Sequence, residues 1–454
     1  MTSTAAPATM NPAEGRSTLR AVFVTLFLDL VGFSIIFPLF PGMLEFYSAQ
    51  DPPSPTFSAL YAALERLTAA LGVSGGHWGI IVLFGGALGS LYSLLQFVGA
   101  PLFGALSDRI GRRPVILLSL VGILISYVMW FFAAGFGLLV AARLLGGIMS
   151  ANISTATAIV ADTTTPENRS RGMAIIGIAF GLGFTLGPAI GGVTASIDLT
   201  AYYPGLAAWG VNPFSAPAAA ALLLTVFNLV YVALRLPETR RKDLAPRAAR
   251  IANVFALLRT EHYPGVTRTN LTYFLFLLAF SGMEFSLTFL AHERLDYGAG
   301  KNALMFLFVG LVLVVVQGGY VRRRSGAVGP RRMALHGLAM VMPALVVVGL
   351  SGHYRSSLVL YVGLFFLAAG AAQALPCLTA LVSVYTPPED QGRVLGIFRS
   401  LGALARAMGP LFAAALYWWT GPTFAYCLGA VFVLVPLGMA LGLPRAADPL
   451  PTRA

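Results

Sequence analysis

The chain has 454 residues, 57% of them apolar and only 11% charged, with a formal net charge of +12 and a mean hydropathy of +0.78. A soluble domain carries about a quarter charged residues, so this composition excludes a soluble enzyme and points to an all-α integral membrane protein. The positive charge falls in short stretches between apolar segments rather than on one face, which fits orientation in a bilayer and not nucleic-acid binding.

Crossing a bilayer takes about 20 apolar residues in a helix, the element whose backbone satisfies itself without water. Residues 1–19 are polar and lack the apolar core of a leader, so the first crossing is expected to act as its own insertion signal. Twelve segments qualify in chain order. They are span 1 at 20–44, span 2 at 79–103, span 3 at 114–134, span 4 at 137–161, span 5 at 171–196 and span 6 at 215–236. Span 7 follows at 269–292, then span 8 at 303–321, span 9 at 332–352, span 10 at 356–385, span 11 at 393–416 and span 12 at 422–444. Between spans 1 and 2, FSALYAALERLTAALG has helical periodicity and predicts a short surface helix. Residues 237–268 form a charged linker, with an amphipathic helix expected around ARIANVFALLRT. The organisation is a tail (1–19), a six-helix bundle (20–236), the linker (237–268), a second six-helix bundle (269–444) and a tail (445–454).

With the N-terminus inside, 23 of the 30 basic residues fall in cytoplasmic segments and only Arg66, Arg294, Lys301 and Arg355 in outer ones. The positive-inside rule therefore places both termini in the cytoplasm. Twenty-eight of the basic residues are Arg, and this Arg- and Ala-rich composition suggests a bacterial inner membrane.

The halves are related. Displaced by 222 positions, residues 157–188 align with 379–410 without a gap, and eleven of the 32 positions are identical, including the polar TPE…R stretch and the Gly187–Pro188 and Gly409–Pro410 pairs. Two pseudo-symmetric halves imply alternating access about their interface.

Polar groups inside apolar spans are functional candidates. Asp29 in span 1 and Glu284 in span 7 are the acids well inside spans and are candidates to carry a proton. Arg143 lies in span 4. Arg399 and Arg406 lie seven apart on one face of span 11, with Arg406 about 20 Å into the helix from Arg393. A guanidinium at that depth can grip an anion bidentately, or be neutralised by Glu284. Gln96, Asn152, Gln317 and Gln373 are buried amides, which serve either as interhelical glue or as ligand contacts. His292 and His336 near span ends are lesser candidates for proton handling. The two cysteines give no disulfide framework or metal spacing. No phosphate loop, HExxH or nucleophile elbow is present, so no enzyme activity and no cofactor are expected, the proton gradient being the energy source.

The run GALSDRIGRRP at 104–114 resembles the loop between spans 2 and 3 of major facilitator superfamily transporters, with Gly104, Asp108, Arg109, Gly111 and Arg112 in register. GFTLGPAIGG at 183–192, containing Gly187 and Pro188, resembles the span-5 signature of the superfamily's antiporters. LLQFVGAPLFGALSDRIGRRPVILLSL is similar to tetracycline and multidrug proton antiporters. TAIVADTTTPENRSRGMAIIGIAFGLGFTLGP, FSGMEFSLTFLAHERLDY and FRSLGALARAMGP are closer still to the animal tetracycline-transporter-like group of major facilitator domain-containing proteins. The resemblance covers most of residues 20–440. It implies the twelve-helix major facilitator fold, and a latch between the halves formed by Asp108, Arg112 and Asp162. It further implies a proton-transfer role for Arg143, and a cavity lined by spans 1 and 7 that also receives Gln96.

Together these features predict a proton-coupled exporter of a small organic, anionic or amphiphilic solute. The solute is expected near Asp29, Gln96, Asn152, Glu284, Gln373, Arg399 and Arg406. The expected partners are the solute, protons and membrane lipids, and the chain is expected to act as a monomer without nucleic acid. A uniporter, a proton symporter, a lipid flippase and a non-transporting receptor on the same fold remain alternatives.

Overall fold

The computed structural model describes residues 12–50, 55–70, 77–150, 152–164, 169–240, 263, 265–386 and 391–444. The amphipathic helix expected around ARIANVFALLRT lies outside the described residues. Among those described, twelve helices are long and apolar enough to cross a membrane.

The six spans of the first half are Pro12–Ser34, His77–Ile110, Arg112–Phe131, a fourth described over Phe136–Met149 and Asn152–Thr163, Arg169–Thr194 and Ser215–Arg235. The first span continues through a tight turn at Phe37–Leu39 into a further helix, Phe40–Ser48. The surface helix expected before span 2 is present as Pro55–Ala70. The second half comprises Val266–Leu295, Ala299–Val315, Pro330–Tyr354, Ser357–Val384, Gln391–Thr420 and Pro422–Leu441. Its second member passes through a π-helical turn, Val316–Val321, into a short helix, Arg322–Val328. Large apolar side chains such as Leu102, Leu223, Leu311, Phe412 and Val431 point outward. Such a broad apolar exterior is stable only where lipid covers it.

Small residues set how closely the helices approach. Gly187 stands against Val31 and Ser34 of span 1, and Gly409 against Leu278 and Ser281 of span 7, with no room at either for a Cβ. The hydroxyl of Ser34 donates to the Gly183 carbonyl at 3.0 Å, and that of Ser281 to the Ala405 carbonyl at 3.2 Å. Gly183 and Ala405, like Gly187 and Gly409, are separated by the 222 residues of the sequence repeat. The duplicated sequence thus builds the same helix–helix clamp twice.

The halves meet through spans 2 and 11 and through spans 5 and 8. A Cβ on Gly86 would stand 2.9 Å from the Pro410 carbonyl oxygen and 2.6 Å from the Ala414 side chain. One on Gly192 would stand 2.6 Å from the Ala299 carbonyl oxygen and run into Ala303. Gly192 and Ala414 again differ by 222, so the two seams are pseudo-equivalent. Both lie toward the end of the bundle opposite the 104–114 loop, called here the far end; the loop marks the basic end. His292 and Glu45 join the halves at the far end, Nε2 to Oε1, at 3.4 Å. The structure is closed at its far end.

Candidate functional site

A cavity of about 480 Å³, counting its open mouth, lies between the halves. Its first-half wall is Phe33, Phe37, Phe40, Gly89, Ser93 and Phe184; its second-half wall is Ser281, Glu284, Phe285, Arg406 and Pro410. The rings form a continuous sheath. Phe184 packs against Phe33 and Phe37 with centroids 5.8 and 5.7 Å away, and Phe40 meets Phe285 across the halves at 5.9 Å. Glu284 and Arg406 are the two ionisable groups among these lining residues. Arg406 also hydrogen-bonds the Tyr273 side chain, and Arg399 lies within its electrostatic reach. An apolar box with one acid and one guanidinium holds an organic body by dispersion and grips an anionic group by charge.

The other candidates occupy different places. Asp29 is 6% exposed and accepts a 3.2 Å hydrogen bond from the Asn152 amide. Gln96 donates to the Ser150 carbonyl at 3.1 Å, fastening span 2 to span 4. Arg143 is buried over the Trp130 ring at 4.8 Å and the Tyr92 ring at 5.8 Å, an aromatic cage that compensates the charge in part. These residues form a second polar cluster inside the first half. Asp29, Gln96 and Asn152 are not on the cavity wall. Neither is Arg399, whose guanidinium lies 6.0 Å from the Phe398 ring centroid. Gln373 also lies off the cavity wall. It is buried, and its amide donates to its own helix at Ala369 (3.1 Å) and to the Met340 sulfur of span 9 (3.3 Å). It fastens spans 9 and 10 and is not among the residues lining the cavity.

The loop at the basic end is built around Arg112. Its guanidinium bridges both acids at once, Asp108 through Nη1 and Asp162 through Nε at 3.0 Å, and also donates to the Ser107 hydroxyl at 2.7 Å. Gly104 packs near Ser154 of span 4. The Arg109 side chain is exposed, and its carbonyl accepts from Arg240. Gly111 holds φ +110°, where an L side chain is strained, and a Cβ there would press on Glu238. Glu238 accepts from the backbone N–H of Arg112 at 2.9 Å and of Arg113 at 3.2 Å, capping span 3 with a carboxylate at the positive end of its dipole. These partners of the Arg112 guanidinium, Ser107, Asp108 and Asp162, belong to the first half. In this far-end-closed state the contacts among Asp108, Arg112 and Asp162 tie spans 2, 3 and 4 together.

Sequence reasoning missed the phenylalanine sheath, Glu238 and the Glu45–His292 pair. The signal for the sheath was the spacing of Phe33, Phe37 and Phe40, which sets a ring on each turn at the end of span 1.

Twelve spans in two repeat-related halves around a central cavity define a secondary transporter rather than an enzyme. The Major Facilitator Superfamily model matches residues 22–410, with a second match over 323–453. The chain belongs to that superfamily and is a multi-pass integral membrane protein. It is 38% identical to major facilitator superfamily domain-containing protein 10 of Homo sapiens, over 98% of this chain and 96% of that protein. It is 26% identical to the class C tetracycline resistance protein of Escherichia coli, over 93% of this chain and 96% of that protein. The crystal structure of the human organic anion transporter MFSD10 (TETRAN) superposes with a TM-score of 0.74 at 37% identity, covering 95% of this chain and all of that one.

Proposed function

We propose that the protein is a proton-coupled antiporter that exports a small organic anion or amphiphile by alternating access. The observation that carries this reading is the pairing of Glu284 and Arg406 on one wall of an aromatic-lined cavity between the halves. While Glu284 is ionised it competes for the Arg406 guanidinium, with which it interacts electrostatically. A proton on Glu284 leaves Arg406 to an anionic solute, and solute binding favours the neutral acid in return; this reciprocity is what coupling requires. Asp29, buried in the first half, is the second candidate proton carrier, with Arg143 nearby as its aide.

With the basic end in the cytoplasm, the far-end-closed structure is the inward-facing state, ready to load solute from inside. The glycine-rich run of span 5 and the similarity to tetracycline resistance proteins support export over uptake. The solved human relative is described as an organic anion transporter, which supports an anionic cargo here. The test of the cargo is Arg406→Ala. Binding of organic anions to the purified protein should weaken by at least about tenfold relative to their neutral amide analogues, the scale of one charge-assisted contact. Equal losses for anion and amide would make Arg406 structural.

A further inference from the structure

Span 7 ends at Leu295 in a defined turn. Asp296 takes a left-handed conformation, φ +53°, and its N–H and that of Tyr297 both donate to the Ala291 carbonyl. The turn carries the Tyr297 carbonyl back to the end of the helix, 2.9 Å from His292 Nδ1. A carbonyl only accepts, so Nδ1 carries the ring hydrogen. The opposite nitrogen, Nε2, faces Glu45 Oε1 of the first half at 3.4 Å. A neutral ring with its hydrogen on Nδ1 presents only a lone pair at Nε2, and a carboxylate has no hydrogen to offer it. Moving the ring hydrogen to Nε2 would leave the Tyr297 bond unmade. The contact between the halves is therefore one proton short. It becomes a hydrogen bond when the ring takes a second proton and meets the carboxylate as imidazolium, or when Glu45 is protonated and donates to Nε2. One proton enters in either case.

The neighbouring charges have other engagements. On span 7, Glu293 accepts from Tyr417 of span 11 at 2.6 Å and lies 3.3 Å from Arg294, while Asp296 is exposed. Lys301 of span 8 stands 5.4 Å from the Tyr297 ring centroid, and Tyr361 of span 10 is within electrostatic reach of that phenol. Tyr47, on the helix that carries Glu45, donates to the Ala133 carbonyl at 2.6 Å. The His292 and Glu45 side chains keep 25% and 43% of their surface exposed, so water at the far end can deliver and remove the proton.

We propose that His292 and Glu45 form a proton-operated clasp on the far end, so that closing this end takes up one proton from the far side and losing it loosens the closure. The clasp is complete at pH values below the titration of the imidazole and is lost as pH rises through it. By linkage, acid on the far side favours the far-end-closed state. With the basic end in the cytoplasm, an outside proton would help return the carrier to its loading state. The clasp goes beyond the exchange at Glu284 and does not depend on it, because the test is read without solute.

The experiment is the spin-label distance across the far end, from labels at positions 202 and 357 with both native cysteines replaced, in the purified full-length protein between pH 5.5 and 8. Native chain, Glu45→Gln and His292→Gln are compared. Glu284 and Asp29 are present in all three, so a difference between chains belongs to the clasp. The native closed-to-open ratio should fall with rising pH by about two- to fivefold more than in either variant, the scale of one partly exposed charge pair. A glutamine amide at position 45 can donate to the neutral ring, so Glu45→Gln should close as well at pH 8 as at pH 5.5 where this contact is concerned. The double variant should respond to pH as each single one does. Should His292→Gln not fold, Glu45→Gln decides. A native pH response no larger than that of Glu45→Gln overturns the clasp, as does a response lost in His292→Gln but kept in Glu45→Gln.

Discussion

Substituting Gly86 or Gly192 with alanine should drive the protein out of its far-end-closed state. The added methyl carbon at position 86 would lie 2.9 Å from the Pro410 carbonyl oxygen and 2.6 Å from the Ala414 side chain; at position 192 it would lie 2.6 Å from the Ala299 carbonyl oxygen. Ordinary contacts of this kind sit near 3.5–4.0 Å, so one seam must open by roughly an ångström. The opposing atoms are mainly backbone and β-carbons, which have no rotamer to escape into. Overpacking of this sort costs about 1–3 kcal/mol, and the cost falls on the closed far end alone, because Pro410, Ala414, Ala299 and Ala303 belong to the other half. Each substitution should therefore shift the open-to-closed ratio by about 5- to 150-fold. The assay is a spin-label distance across the far end, with labels at the exposed positions 202 and 357 and both native cysteines replaced. Gly86→Ala and Gly192→Ala should each move population to longer distances, and the double variant further than either. Unchanged distances in folded variants would show that these glycines do not seal the far end.

Glu45→Gln should loosen the same end far less than either alanine, by about 0.5 kcal/mol, because its contact with His292 is long and partly exposed; the same label pair ranks them. Glu238→Gln should lower the unfolding midpoint modestly through the weakened cap of span 3, whereas Gly111→Ala should lower it more, since a side chain at φ +110° adds backbone strain to the collision with Glu238. Asp162→Asn should destabilise by about 1–3 kcal/mol because it takes a charged partner from the largely buried Arg112, and differential scanning calorimetry in detergent reads this directly. Gln373→Met should leave solute affinity unchanged, as expected of an amide that fastens spans 9 and 10.

The spans, the repeat and the gating loop were legible because each depends on contrast. A charged turn between apolar runs, a glycine spacing and a repeated TPE…R stretch all stand out along the chain. The repeat even foretold packing, since the Ser34–Gly183 and Ser281–Ala405 clamps sit at repeat-related positions. The cavity was only half legible. Glu284 and Arg406 are rare charges in apolar helices, but one phenylalanine among 31 carries no mark of which neighbour it faces. The amides show the same limit: Gln96, Asn152 and Gln373 look alike in sequence, and rotation about the helix axis alone decides their partners. Glu238 escaped because it caps a helix that begins over a hundred residues earlier.

The central claim is that a proton on Glu284 is exchanged for an organic anion held by Arg406. The most direct measurement is anion movement in proteoliposomes under an imposed pH gradient of either sign. The account predicts that native transport follows the gradient and reverses with it, while Glu284→Gln still exchanges anion for anion but no longer responds. Native transport indifferent to the gradient, or an undiminished response in Glu284→Gln, would contradict it.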